Sequence, residues 1–194
     1  MNTEKKLKGK DLMNIGIFSA IIFIIAMAIG MLGFIPIFIP LLSIIVPLVG
    51  GIPYMLYLTR AKKFGMIWIL CIIQGLMLMV TGMGIYPFIF GIVFGLLADL
   101  VYKSGGYQSA KKGILSCGLT FMVVFGCELP LFLDMAGYFS TRQDFGQEYV
   151  DALTRLMPTW MCPVLLVATF VCGILGGLIG KALLKKHFIK AGIA

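Results

Sequence analysis

Six apolar stretches of about 20 residues each, joined by short connections, fix what this chain can become. About 20 apolar residues cross the hydrocarbon of a bilayer as a helix. In lipid, only helices and closed barrels satisfy their own backbone hydrogen bonds. The stretches fall at 11–33, 39–59, 64–82, 85–102, 113–133 and 158–183 of the 194 residues. They predict an all-α integral membrane bundle of six transmembrane helices, forming a single domain. The charged fraction of 12% is about half that of a typical soluble domain, and the mean hydropathy is +1.04. The first run follows a basic start, as a signal peptide would, but it is too long for one and no A-x-A-like site follows it. It reads as a retained helix.

Charge gives the orientation. Lys5, Lys6, Lys8 and Lys10 precede the first span. Arg60, Lys62 and Lys63 follow the second, Lys103, Lys111 and Lys112 the fourth, and Lys181, Lys185, Lys186 and Lys190 close the chain. Of the 16 basic residues only Arg142 and Arg155 fall elsewhere. The positive-inside rule places both termini in the cytoplasm. The net charge of +8 is therefore a topology signal and not a nucleic-acid patch.

The three outer connections differ from the inner ones. "GFIPIFIP" (33–40) is uncharged and proline-braced, and "TGMGIYP" (81–87) is tight and glycine-rich. The first suits a segment held against the membrane or folded over the protein. The third, 134–157, carries Phe145, Tyr149, Leu153 and Leu156 at helical spacing, opposite Asp144, Glu148, Asp151 and Arg155. That pattern predicts a short amphipathic helix, with Asp144 and Gln147 capping its start and Asp151 paired to Arg155. It lies either at the interface or over an outward-facing pocket.

Several chemistries are poorly supported. The five cysteines (71, 117, 127, 162 and 172) sit in apolar runs without CxxC or Cys/His clustering, against a disulfide framework or metal site. "GILGGLIGK" (173–181) fails the phosphate-loop pattern, which needs Gly at 175 and Ser or Thr at 182, where Leu175 and Ala182 stand. His187 reads as a solvated interfacial residue, and the scattered methionines as gap fillers. Asp99 and Lys103 are spaced for an ion pair. No nucleophile–base pair or HExxH motif is present, so no enzymatic activity and no cofactor is expected.

One residue resists this inventory. In "FGCELPLF" (125–132), Glu128 interrupts an apolar run in the outer half of the fifth span. A carboxylate inside a membrane is costly, and its default reading is functional. Tyr86, Trp160, Ser43 and Asp134 fall at the outer ends of spans, and Gln74 near the middle of the third. A few placed polar groups in an apolar setting have the makeup of a small-molecule site. These six residues are the candidate substrate-binding set. A buried carboxylate favours a ligand with a cationic or hydrogen-bond-donating group. The competing reading is a carboxylate that merely joins neighbouring helices.

Six spans, inner termini and no energy-coupling motif make the chain similar to an S component of an energy-coupling factor (ECF) transporter. The start "KLKGKDLMNIGIFSAIIF" resembles the Trep-Strep group of bacterial membrane proteins, classed near those components. The resemblance implies that small residues on the first helix, here Gly16 and Ala20, dock on an ECF transmembrane subunit served by two ATPase subunits. Gly16 departs from the strict AxxxA form of that motif. The resemblance further implies a site under the outer loops and a vitamin-like substrate. A larger amphipathic ligand such as a porphyrin, or a non-transport assembly or scaffold role, are the alternatives.

Overall fold

The computed structural model describes residues 6–140, 142 and 145–185. Lys5, Asp144, Lys186, His187 and Lys190, which entered the charge, capping and ligand arguments above, lie outside the described residues. Nine helices run in order among those described: α1 (Gly9–Gly30), α2 (Ile39–Arg60), α3 (Met66–Leu78), α4 (Tyr86–Lys103), α5 (Ala110–Thr120), α6 (Met122–Leu133), α7 (Met135–Ser140), α8 (Gln147–Leu156) and α9 (Met161–Leu183). Short 3-10 turns at Met31–Phe34 and Pro36–Phe38 join α1 to α2, and a π-turn at Met79–Met83 extends α3. Six helical segments are long and apolar enough to cross a membrane: Gly9–Phe34, Pro36–Arg60, Met66–Met83, Tyr86–Lys103, Ala110–Leu133 and Met161–Leu183. No strand occurs among the described residues.

The fifth span is the most buried and the first the least. The fifth is also broken: Phe121 leaves helical geometry (ψ −2°) and divides α5 from α6. Around it, α9 lies against α2, α5 and α6, while α4 lies against α3, α5 and α6. Among the described residues α1 packs mainly on α2 and α3.

Glycine sets how closely the helices approach. A Cβ added at Gly176 would meet the carbonyl oxygen of Pro47 at 2.2 Å, and one at Gly51 would meet the carbonyl carbon of Gly176 at 2.3 Å. The small-residue faces of α4 (Gly91, Gly95) and α9 (Gly173, Gly177, Gly180) are likewise filled from inside the chain. This is the close backbone packing that small residues permit in membranes. Gly16 on α1 is the contrast: nothing stands within 4 Å of its added Cβ, and Ala20 beside it is exposed.

Basic residues gather at one end. Lys63 Nζ donates to Asp11 at 2.5 Å and to the Lys6 carbonyl at 3.2 Å. Lys62 donates to the Tyr107 carbonyl at 3.1 Å. The N-terminal segment and the second and fourth connections thus meet on one side, which the positive-inside preference makes cytoplasmic.

Two local expectations are corrected. Asp99 does not pair with Lys103. Its Oδ2 accepts the backbone N–H groups of Gly65 (2.8 Å), Ile67 (3.1 Å) and Trp68 (3.1 Å), and its Oδ1 accepts the Tyr107 hydroxyl at 3.2 Å. The first turn of α3 leaves its N–H groups without intrahelical partners, and Asp99 supplies one from α4. Lys103 instead lies 4.7 Å above the Phe64 ring. In α8, Asp151 accepts from Gln147 Nε2 at 2.9 Å instead of pairing with Arg155, and Gly146 is the residue before the first turn.

Candidate functional site

Glu128 sits on the last turns of α6, ahead of Pro130, which lies inside the same helix. Its side chain is only 4% exposed. Neither carboxylate oxygen has a hydrogen-bond partner. Ser43, on α2, is the polar side chain close enough to influence it, yet the Ser43 hydroxyl makes no well-formed bond either. The two groups are neighbours without being bonded.

Glu128 faces a cavity of about 540 Å³, within the roughly 300–1,000 Å³ of small-molecule sites. The outer part of α1 (Ala26, Met27, Gly30), the α2 start (Ile39, Leu42, Val46), the end of α3 (Leu78) and α6 (Val124, Leu131) form apolar walls. The outer connections close it. Phe34 stacks on Phe145 with centroids 6.2 Å apart, Phe145 meets Tyr149 at 4.7 Å, and Phe139 meets both at 5.4 and 5.8 Å. All four rings line the cavity. Tyr149 donates its hydroxyl to the Gly33 carbonyl and so ties α8 to the first outer connection. Burial pushes the Tyr149 phenol up to about 12, so it remains a donor at any physiological pH. Arg142 donates to the carbonyls of Tyr138 and Gly82 and lies 3.5 Å over the Tyr138 ring, joining the third outer connection to the second.

The amphipathic helix read from the third connection is α8. Its Tyr149, Leu153 and Leu156 turn inward while Glu148, Asp151 and Arg155 are exposed. Since Phe145 and Tyr149 line the cavity, this segment covers it.

The other residues of the sequence-derived set fall outside the cavity. Gln74 is buried but donates to the Ser19 carbonyl at 2.6 Å, joining α3 to α1. Trp160 is 67% exposed ahead of α9, the position of an interfacial belt aromatic. Asp134 is exposed and accepts the Gly137 N–H at 2.8 Å, capping α7. Tyr86 opens α4, with its backbone beside Gly126. Sequence reasoning missed Thr81, Met83, Cys127, Tyr138 and Arg142 as cavity residues. Arg142 alone carried a signal, as one of two basic residues on the outer side. Among the described residues no group of His, Cys, Asp and Glu could hold a metal ion.

A family model described as a hypothetical bacterial integral membrane protein family, Trep_Strep, matches residues 9–190. The chain belongs to the Trep_Strep family. No curated protein and no solved structure matches it. Family membership and six spans together make the chain a multi-pass bacterial membrane protein.

Proposed function

We propose that this Trep_Strep chain is the substrate-binding S component of an ECF-type importer, capturing a vitamin-like micronutrient from the outer side. One observation carries the reading: a partly open, largely apolar cavity at the end opposite the clustered lysines, with a carboxylate that lacks a well-formed bond in its wall. A scaffold held together by glycine faces needs no such cavity. Energy coupling then falls to other chains, an ECF transmembrane subunit and two ATPase subunits, and this chain is not itself an enzyme. The open stripe of Gly16 and Ala20 supports the partner assignment, because the small-residue faces of α4 and α9 are filled within the chain and this one is not.

The test is co-purification. The chain is expressed with an ECF transmembrane subunit and its two ATPases, as wild type and as Gly16→Leu and Ala20→Leu. Each leucine blocks close helix approach on a face that touches nothing else in the chain. Both variants are expected to fold, to lose the partner and to lose uptake. A complex that survives both substitutions, or a wild type that never assembles, refutes the reading.

A further inference from the structure

Among the described residues two carboxylates are buried, and they are handled in opposite ways. Asp99 is fully buried and receives three backbone N–H groups and a tyrosine hydroxyl. Glu128 is nearly as buried, and although Ser43 lies beside it, it receives no well-formed hydrogen bond. A buried polar group without a partner carries a full desolvation cost, and a buried charge carries more unless it is paired. The fold shows at Asp99 that it can aim donors at a carboxylate where the role is structural. At Glu128 it leaves the carboxylate covered and without a well-formed bond, in the wall of a cavity.

The rest of the cavity narrows what can arrive there. Arg142 is the basic residue among those that line it, and it commits donors to the Tyr138 and Gly82 carbonyls at the covered end. The remaining surface is aliphatic, thioether and aromatic, with Thr81, Cys127 and the Tyr138 and Tyr149 hydroxyls as polar exceptions; the Tyr138 hydroxyl turns to the Met83 sulfur at 3.8 Å and that of Tyr149 to the Gly33 carbonyl. Thr81 Oγ1 already donates to the Leu78 carbonyl at 2.9 Å, and Cys127 Sγ points to the Val123 carbonyl at 3.9 Å. The unbonded donor that the fold places beside Glu128 is the Ser43 hydroxyl, which is neutral and cannot balance a carboxylate charge. The counter-charge must come with the ligand, and the body of that ligand must be apolar enough to lie against Met27, Leu42, Val46 and the rings of Phe34, Phe139 and Phe145.

We infer that the cavity takes an amphipathic organic cation: a protonated amine or amidinium on an apolar, ring-bearing body, with the cationic group hydrogen-bonded to Glu128 and the rings against the aromatic cover. This rests on the importer reading for its biological setting, but the charge preference belongs to the cavity alone. An ion pair forms only if the ligand is cationic. A neutral donor such as an amide hydrogen-bonds the carboxylate without balancing its charge, and an anionic ligand meets like charge.

The purified full-length chain, in detergent without partner subunits, is titrated with matched probes. These are indole and naphthalene rings on one ethyl linker, ended by an ammonium, a neutral primary amide or a carboxylate. The ammonium member is expected to bind about ten- to hundredfold more tightly than the amide, and the carboxylate most weakly. Glu128→Gln abolishes that preference while the unliganded melting temperature holds or rises; Glu128→Asp, which keeps the charge, retains it. No ammonium preference in the wild type, including no binding by any probe, overturns the inference, as does a preference that persists in Glu128→Gln. The co-purification experiment is independent of ligand. Loss of charge selectivity with an intact complex would remove the ligand class and leave the importer reading; the reverse would remove the importer and leave a cation-binding membrane protein.

Discussion

Gly176 is where the bundle has least room, and Gly176→Ala measures how much that closeness matters. The added Cβ would stand 2.2 Å from the Pro47 carbonyl oxygen, 2.9 Å from that of Leu48 and 3.0 Å from the Leu48 Cα. All three are backbone atoms of α2, so no side chain can swing aside. Ordinary contact begins near 3.4 Å, and α2 and α9 would have to part by about an ångström along their shared face. Overpacking costs about 1–3 kcal/mol, and obstruction by backbone puts this site toward the top of that span. Against it, Ala gains about 0.8–1.0 kcal/mol over Gly in helix propensity. Steric strain wins, and Gly176→Ala should destabilise by about 2 kcal/mol. Gly16→Ala isolates the opposing effect: the same chemistry meets nothing within 4 Å, so only the propensity gain of up to about 1 kcal/mol remains. Reversible unfolding in mixed micelles, monitored by far-UV circular dichroism, compares both variants with wild type. Equal shifts in the two variants, or a Gly176→Ala protein as stable as wild type, would refute the account of how α2 and α9 meet.

Asp99→Ala should cost more than about 3 kcal/mol, because it strands three N–H groups at the start of α3 at about 1–3 kcal/mol for each unsatisfied donor. Lys103→Ala should cost under about 1 kcal/mol, the size of an exposed cation–π contact; comparable losses in the same unfolding assay would restore the Asp99–Lys103 pair. Tyr149→Phe removes the bond to the Gly33 carbonyl, worth about 1 kcal/mol, and should speed hydrogen exchange about fivefold across 31–38. Unchanged exchange there would mean that α8 rests on the first outer connection without holding it.

The spans were legible because a bilayer imposes length and polarity on every helix that crosses it, and no tertiary contact can relax that demand. The amphipathic stripe of α8 was legible for a related reason: its inward rings and outward charges repeat at helical spacing. The break at Phe121 was not, since no proline or glycine occupies that position and a single residue leaving helical geometry has no composition. The candidate site fared unevenly. Tyr86, Trp160 and Asp134 were chosen by depth along their spans, and depth says nothing about which way a side chain turns around a helix. Gln74 was chosen as a polar group in an apolar run, but it answers the Ser19 carbonyl on α1.

Asp99 and Glu128 show where that limit lies. In sequence both are single carboxylates inside apolar helices, and Asp99 even had a lysine four residues on to explain it away. What separates them is long-range. Gly65, in the left-handed conformation at φ +93°, turns the chain so that the free N–H groups at the start of α3 converge on Asp99, across more than 30 residues of sequence. At Glu128 the start of α2 brings only Ser43 close, and without a well-formed bond. The same spacing of apolar residues thus yields a structural cap in one case and a waiting acceptor in the other. The difference resides in the connection between α2 and α3, far from either carboxylate in the pattern that announced them.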